Sequence, residues 1–354
     1  MELNNSVIVF NGFITTVTPY ANSPAGARGP NKEAMLPRVP VGGEMRPVIS
    51  AATIRTALRQ AATREVIERA KAGGAKISFR DVALWSVGGV KGSSKEVEKI
   101  GLAETIAYAD RNVLIGTFGA GESPVGFVSG ALQVESAVTP SAGVVVVIEG
   151  SRRALERDPI LLDALDSSEL AAALSFADVN QRRSRLQADQ KSKKTALRKA
   201  AGEQRATLEA ELSQINVELD ATKVEAADTL SDVTIGMPLA GYEVIGTGVT
   251  MPHAMRLSIQ ENPLRLGLTL AALERFGLDP RLGAHEGQGC GYVEIRYDIS
   301  VSRVEGRKRI VTPMGGVTVS RDQGTTIEGD ALIEAVATWD AGQFAFEDYA
   351  AASR

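Results

Sequence analysis

Two arginines, Arg55 and Arg59, lie one helical turn apart, a few residues after a candidate helix N-cap at Ser50. A guanidinium group suits phosphate because its planar fork of donors matches two phosphate oxygens at once. The free backbone N–H groups at the start of a helix attract anions as well. Together with Thr53 in the first turn, these residues predict a phosphate-binding surface at the N-terminus of a helix over 51–71.

Basic residues are also concentrated just before this helix. The segment from Arg28 to Arg64 holds seven basic and two acidic residues, about +5 in a protein whose formal net charge is −4. Six of the fourteen prolines fall within residues 19–47, which predicts a long irregular loop. A local basic strip can bind a polyanion even when the whole protein is acidic, although an ordinary solvated surface would have the same composition. The residues of this strip expected to contact phosphate are Arg28, Lys32, Arg38 and Arg46.

A glycine-rich run occupies residues 283–291. A dinucleotide-binding loop follows a strand and opens a helix, whereas this run follows a predicted helix over 264–276 and opens a strand. Glycines allow a backbone to approach another chain closely, and that chain could be a phosphodiester backbone or a neighbouring element of the fold. The candidate binding residues of the run are Gly283, His285, Gly287, Gln288 and Gly289.

Known catalytic motifs are missing from the sequence. Residues 126–130 read Gly-Phe-Val-Ser-Gly, which is not the Gly-x-Ser-x-Gly turn of a hydrolase nucleophile. The two histidines, His253 and His285, stand in separate segments, and with the single cysteine Cys290 they leave too few ligands for a zinc site. We therefore expect no catalytic residue, no metal and no cofactor.

Composition is that of a globular protein. Of the 354 residues, 44% are hydrophobic and 23% are charged, so the chain can bury a sizeable core. It contains no run of about 18 consecutive apolar residues, and its first residues lack the features of an export signal. A single cysteine excludes an internal disulfide. These features predict a cytoplasmic protein with no membrane partner.

The elements that must position the candidate residues alternate between strands and helices. A β-branched strand over 6–18 precedes the helix at 51–71, glycine-broken strands follow at 113–135, and the helix at 264–276 leads to a late strand. Without insertions this order is βαββαβ, so the fold class is predicted as α+β with a ferredoxin-like or RRM-like layout. The predicted segments are a first half of this core at 1–71, an insertion at 72–112, core strands and a connection at 113–177, a helical insertion at 178–230, a β-hairpin at 231–259, and a second half at 260–354 with a C-terminal hairpin and helix.

The helical insertion is distinguished by its charge. Residues from Arg182 to Lys199 include eight basic and one acidic side chain, whereas those from Glu203 to Asp228 include seven acidic and two basic. A helical hairpin turning near Gly202 would bring the two arms together, and one continuous helix of about 75 Å would leave them apart. We favour the hairpin. Residues 232–259 alternate apolar residues with glycine and predict an exposed β-hairpin around Tyr242.

Three motifs, taken in their order along the chain, resemble those of one family. Ala51–Arg59 reads A-A-T-I-R-T-A-L-R against a pattern of the type G-S-S-[LI]-[KR]-G-x-[LI]-R, with Ala-Ala-Thr in place of Gly-Ser-Ser. Ile115–Gly119 is similar to a middle L-F-G element, and Gly287–Gly291 matches a late G-x-G-x-G. The sequence thus resembles the Cas-seven-type backbone subunits of CRISPR effector complexes, in the RAMP superfamily. The likeness extends over 1–70, 113–150 and 232–303.

The resemblance implies a palm of ferredoxin-like fold, fingers near 72–112 and a protruding β-hairpin thumb at 231–259. Such subunits assemble head to tail along CRISPR RNA, with other Cas subunits, into an antiviral ribonucleoprotein filament whose guide pairs with target DNA or RNA. Tyr242 and His253 would join the RNA-binding residues above. Type III relatives cleave target RNA with an aspartate before the first helix. Residues 28–40 contain none, so the chain looks most like a type IV backbone subunit, with type I as the neighbouring alternative.

Two other functions stay open at this point. A RAMP-type endoribonuclease that processes CRISPR RNA would use His285 or His253 as its general acid–base. A protein-only assembly module would dock a partner through the helical insertion and would bind no nucleic acid. A non-catalytic RNA-binding subunit is the expectation that we favour.

Overall fold

The computed structural model describes residues 6–22, 34–89, 101–121, 123, 126–148, 167–197, 203–229, 241–260, 262–342 and 345–350. The chain forms two compact units. The first consists of Met1–Glu149 and Ala240–Arg354, and the second of Gly150–Leu239. Among the helices that the structure describes, none combines the length and apolar character that crossing a bilayer requires.

Among the described residues, the first unit contains strands and helices of up to 22 residues, and the second contains two helices of 31 and 27 residues. The strands are β1 (Val7–Thr16), β2 (Tyr20–Ala21), β3 (Arg38–Val41), β4 (Glu44–Ile49), β5 (Leu132–Val134), β6 (Ala137–Val138), β7 (Val145–Ile148), β8 (Tyr242–Ile245), β9 (Thr250–Ser258), β10 (Val293–Glu305), β11 (Lys308–Ser320) and β12 (Gly324–Glu328). The helices are α1 (Ala51–Ala72), α2 (Phe79–Val87), α3 (Leu102–Arg111), α4 (Val113–Phe118), α5 (Ser167–Leu197), α6 (Glu203–Thr229), α7 (Leu264–Gly277), α8 (Asp330–Ala341) and α9 (Phe346–Tyr349).

The main sheet confirms the predicted α+β class and the ferredoxin-like layout. Its six strands run in the order β12-β11-β10-β1-β9-β5, and all neighbours are antiparallel. The four core strands are, in chain order, β1, β5, β9 and β10, and their order across the sheet is fourth, first, third, second. Helix α1 connects the first to the second, and α7 connects the third to the fourth. That arrangement is the split βαβ topology.

Alternation along the strands explains which face is buried. On β1, Ile8, Phe10 and Ile14 are buried, whereas Asn11 and Phe13 on the opposite face are exposed. Successive strand residues point to opposite faces, so one face of the sheet packs on helices and the other is open. Helices α1 and α7 pack against each other and share the core with these strands.

The strand pairing contradicts the predicted β-hairpin thumb at 231–259. β8 and β9 do not pair with each other: β9 lies between β1 and β5 in the main sheet, and β8 lies between β2 and β7 in a separate three-stranded sheet. The alternation of buried and exposed residues along β9 is typical of a core strand. The pattern therefore indicated β structure correctly, but the partner strands lie far away in sequence. Residues 231–240 of the predicted hairpin lie outside the described residues.

The prediction of glycine-broken strands at 113–135 is wrong at its start, because Val113–Phe118 is the helix α4. The Asn112 side chain caps that helix by accepting a hydrogen bond from the Ile115 N–H at 3.0 Å. All six helical residues are buried. A short apolar run that is buried on every side has no periodicity that could separate strand from helix.

The two helices of the second unit pack side by side in antiparallel directions. Lys193 pairs with Glu211, and Gln190 donates to Asn216, so positions before the turn face positions after it in reverse order. The apolar residues Leu212, Ile215 and Leu219 are buried. This is the geometry of a hairpin rather than a single long helix, and its first arm begins at Ser167, before the expected boundary at 178.

Arg59 joins three elements of the first unit. Its Nε donates to the Trp85 carbonyl at 2.6 Å, its Nη2 to Leu84 at 2.9 Å, and its Nη1 to Gly119 at 2.8 Å. These carbonyls lie at the C-terminal ends of α2 and α4, where most carbonyls lack intrahelical partners. The Leu84 carbonyl also accepts from the Gly88 N–H at 3.0 Å. Arg55 donates to the Phe118 carbonyl at 2.7 Å in the same place. The two arginines therefore bind α1 to the ends of two other helices.

We predict that Arg59→Met destabilises the first unit. Methionine keeps an unbranched side chain but supplies no donor, so buried carbonyls lose their partners, at about 1–3 kcal/mol each before relaxation. We expect the free energy of unfolding to fall by about 3 kcal/mol, measured by urea denaturation. The matched control is Arg64→Met, at an exposed position of the same helix, which should change it by less than about 0.5 kcal/mol. Equal stability of the two variants would contradict the structural role.

Candidate nucleic-acid interface

The glycine run forms a turn between α7 and β10 whose glycines have two different roles. Gly283 has φ +92°, and a Cβ there would lie 2.2 Å from the Ala21 carbonyl oxygen, so this glycine allows close packing on β2. Gly289 has φ +80°, and a Cβ there would meet nothing within 4 Å, as is also true of Gly287. Residues 286–289 are exposed. The tip of the turn thus presents backbone to the surroundings, with the Gln288 and Gly289 N–H groups donating to the His285 and Glu286 carbonyls at 2.9 and 3.0 Å.

An aromatic stack supports this turn. The Tyr242 ring lies parallel to the His285 ring, with 4.0 Å between centroids and 6° between planes. The Tyr242 hydroxyl donates to Gln288 Oε1 at 2.5 Å. Burial, followed by the neighbouring Cys290, raises the pKa of Tyr242. His285 is only partly buried and adopts φ +62°, a left-handed conformation that is uncommon outside glycine. Tyr242 thus holds the histidine ring at the surface.

The start of α1 lies beside the same turn. Ser50 Oγ accepts from the Thr53 N–H at 3.1 Å, which confirms the N-cap, and Asn22 donates to Thr53 Oγ1 at 2.9 Å. Asn22 directly follows β2, whose last residue accepts a hydrogen bond from the Ala284 N–H at 2.7 Å. β2 also pairs with β8, which contains Tyr242. The fold therefore brings together Ser50, Thr53, Tyr242, Gly283, His285 and Gln288.

A basic aromatic cluster next to the turn was not predicted. Arg281 and Arg321 lie with their guanidinium carbons 4.2 and 4.4 Å from the centroid of the Tyr292 ring. Arg281 also pairs with Asp279 at 2.9 Å and donates to the Glu286 carbonyl at 3.3 Å. Arg281 and Tyr292 flank the glycine run in the sequence, which is a signal that could have been used. Arg321 comes from the turn after β11, and only the tertiary structure brings it here.

Two arginines of the predicted basic strip already form ion pairs within the protein. Arg38 pairs with Glu243 at 2.7 Å, and Arg46 pairs with Glu44 at 2.9 Å. Each of these guanidiniums therefore already has an anionic partner within the protein, as Arg281 has in Asp279. Glu243 also accepts from the Leu36 N–H at 2.9 Å, which fixes the loop that leads into β3. The two other residues of the strip, Arg28 and Lys32, lie outside the described residues.

The structure contradicts the prediction that Arg59 of the first helix contacts phosphate. Its guanidinium is buried against the carbonyl groups described above, and burial, followed by the charge of Arg55, lowers its pKa to about 10. It still carries a charge at neutral pH, but that charge serves the packing of helices. Arg55 is half-buried and shares the same carbonyl region, so only part of its guanidinium can face a ligand. Spacing placed both arginines on one side of the helix, and that side faces protein.

The prediction that His253 contacts RNA is also wrong, because this residue is only 3% exposed. It lies on the buried face of β9, with Nε2 at 2.9 Å from the Glu135 carbonyl and Nδ1 at 2.6 Å from the Tyr297 hydroxyl. A carbonyl oxygen only accepts, so Nε2 bears the proton and Nδ1 accepts from tyrosine. Burial lowers the pKa of His253 to about 4. This histidine is a neutral, hydrogen-bonded core residue.

Comparison with known proteins finds chains that are similar in structure. No protein-family profile matches the sequence, and no curated protein matches it either. A solved chain described as "Type IV-B CRISPR Complex" is similar in structure, with 14% sequence identity and a TM-score of 0.37. The match covers 87% of this chain and 90% of the other. At this level of similarity, the functional argument rests on the geometry of the site.

The burial of His253 predicts that the stability of the protein depends on pH. Its pKa in the folded protein lies below the ordinary value of about 6.5, so the unfolded chain takes up the proton first as the pH falls. Stability from this group is therefore complete above about pH 6.5 and is lost towards about pH 4. Between about pH 7.5 and about pH 5, we expect a loss of about 2 kcal/mol in the free energy of unfolding.

Urea denaturation at both pH values would measure this loss. His253→Gln should remove this part of the pH dependence, whereas His285→Gln, at the partly exposed position, should retain it. If His253→Gln and the unchanged protein lose the same stability on acidification, the assignment of a neutral buried histidine is wrong.

Proposed function

We propose that this chain is a non-catalytic RNA-binding subunit that holds the backbone of a single-stranded guide RNA at the glycine turn. The observation that supports this most strongly is the combination found there: an exposed glycine backbone at Gly287 and Gly289, a partly exposed ring at His285, and two guanidiniums at Arg281 and Arg321. Single-stranded nucleic acid is bound by surfaces of this kind, which join cations for phosphate with rings for bases.

The parts of this surface would act on different parts of the RNA. Phosphate contacts from arginine and backbone N–H groups position a nucleic acid without reading its sequence. A histidine ring can stack on a base, and stacking tolerates every base because each has a π-face. Arg281 is already held by Asp279 and Tyr292, so little side-chain freedom would be lost on binding. The bases that do not stack would stay free to pair with a target, as in RNA-guided effectors.

The resemblance to Cas-seven-type subunits extends this proposal to assembly. Copies would lie head to tail along CRISPR RNA, as a type IV backbone does, together with other Cas subunits in the cytoplasm. A head-to-tail contact that does not close into a ring produces a helical filament, so the number of copies would follow the length of the RNA. The guide would then be presented to target DNA or RNA for pairing.

A salt titration of RNA binding tests the proposed surface. We expect Arg281→Ala combined with Arg321→Ala to bind single-stranded RNA about tenfold more weakly. We also expect the slope of log affinity against log salt to fall by about 1.4 units, because each of the two lost phosphate contacts removes about 0.7. Fluorescence anisotropy between about 50 mM and about 200 mM salt would measure both quantities.

The matched control removes the same charge elsewhere, by Arg64→Ala combined with Lys71→Ala at two exposed positions of α1. This control should bind RNA as the unchanged protein does. Purified unchanged protein should also bring RNA with it, and its mass on RNAs of increasing length should rise in steps of one subunit. A protein without affinity for RNA would instead support the protein-only assembly module.

Under the endoribonuclease alternative, one of the two candidate general acid–base residues is excluded. His253 is buried in the core and cannot exchange a proton with RNA, so His285 is the remaining histidine that could. We expect the protein to leave a CRISPR repeat hairpin intact over hours, as seen on a denaturing gel. Cleavage that His285→Ala abolishes, with RNA affinity retained, would establish the endoribonuclease instead.

A further inference from the structure

The hairpin formed by β10 and β11 extends beyond the main sheet. On one side, β1 ends its pairing at Val7, opposite Ser302, and on the other, β12 pairs only from Gly316 onward. Among the described residues, Arg303–Glu305 and Lys308–Ile310 therefore pair only with each other. Three residue pairs at about 3.3 Å each give a free ribbon about 10 Å long. We call residues 303–310 the basic ribbon.

The side chains of the basic ribbon are exposed and mostly cationic. It contains four basic residues and one acidic residue: Arg303, Arg307, Lys308, Arg309 and Glu305. Val304 is 75% exposed, and Ile310 and Val311 are 41% and 52% exposed, so no element of the described structure covers the ribbon. Arg303 is the exception, because its Nε and Nη2 atoms are buried and lack a hydrogen-bond partner among the described residues. Arg309 is exposed, and its Nε donates to Ser302 Oγ at 2.7 Å. The cations that the ribbon exposes fully are therefore Arg307, Lys308 and Arg309.

The cations are distributed over both faces of the basic ribbon. Side chains of directly opposed residues lie on the same face, so Arg309 shares one face with Val304, and Lys308 shares the other with Glu305. Arg303 belongs to the face of Lys308, and Arg307 lies in the turn at the tip. A flat protein partner would meet one face only. Charge on both faces and at the tip suits insertion between two anionic walls.

We propose that the basic ribbon inserts into the major groove of B-form double-stranded DNA. That groove is about 12 Å wide and about 8.5 Å deep, and it admits a two-stranded β-ribbon, whereas the major groove of an RNA duplex is too narrow. The ribbon is about as long as the groove is deep. Its cations would meet phosphates on both walls, and contacts of this kind carry no sequence preference. This site is separate from the glycine turn and goes beyond RNA binding.

A comparison of two triple variants tests this inference. The first is Arg307→Ala/Lys308→Ala/Arg309→Ala in the ribbon. The second removes the same charge at three exposed positions, as Lys71→Ala/Lys76→Ala/Arg80→Ala. The probes are a short random-sequence DNA duplex and a single-stranded RNA, each titrated with full-length protein at about 50 mM and about 200 mM salt.

We expect the ribbon variant to bind the DNA duplex at least about tenfold more weakly, with a salt slope reduced by about two to three units. Its affinity for single-stranded RNA should stay within about twofold of the control, and its thermal unfolding should match the control because the ribbon lies outside the core. Three results would overturn the inference: equal duplex binding by the two variants, equal loss on duplex and RNA, or a changed sedimentation coefficient without a change in duplex binding. The last would make the ribbon a contact between copies. Loss of RNA binding at the glycine turn alone would leave this inference standing.

Discussion

Four backbone carbonyl groups converge on the guanidinium of Arg59, and they belong to Leu84, Trp85, Phe118 and Gly119. A buried charge is costly unless it is fully hydrogen-bonded, so this cation and the ends of α2 and α4 depend on each other. Helix α1, which contains Arg59, also begins beside the glycine turn through Ser50. The position of the candidate interface therefore rests on a contact that lies inside the protein.

This contact gives a physical reason for the spacing of the sequence motifs. The arginine motif over Ala51–Arg59 and the short element over Ile115–Gly119 meet in space, because Arg55 and Arg59 bind the carbonyls that end the second element. A Cβ at Gly130 would lie 2.7 Å from the Arg55 guanidinium, so a small residue is needed there as well. Residues that looked like ligand contacts in the sequence are fold-forming contacts in the structure.

The cations that remain at the surface form separate groups. Arg281 and Arg321 flank Tyr292 beside the glycine turn, and the basic ribbon extends from the far end of β10. Both ends of the strand Val293–Glu305 thus lie close to basic side chains. In the basic strip, by contrast, Arg38 and Arg46 pair with carboxylates, and Arg59 binds carbonyl groups. Because Arg281 also pairs with Asp279, Arg321 and the exposed cations of the basic ribbon carry most of the charge that these groups can offer to a polyanion.

The sequence by itself determined most of the element types and the order of the core elements. Alternation along β1 and β10, the N-cap at Ser50 and the apolar stripe of α1 are local signals, because each depends on a period or a neighbour a few residues away. They were sufficient for the α+β class and for the βαββαβ order, and the glycine turn was placed correctly between helix and strand. The all-buried run at 113–118 had no such period, so its helix was missed.

Only the tertiary structure decided which side chains face outward. β9 pairs with β1 and not with β8, and this pairing places the His253 side chain in the core. The Arg59 guanidinium binds carbonyls of residues that lie 25 to 60 positions away along the chain. Arg321 contacts the Tyr292 ring because the pairing register of β10 and β11 places the end of β11 opposite the start of β10. Such contacts form between residues distant in sequence, where composition and spacing carry no information. The order of elements was therefore predictable, and the use of each charge was not.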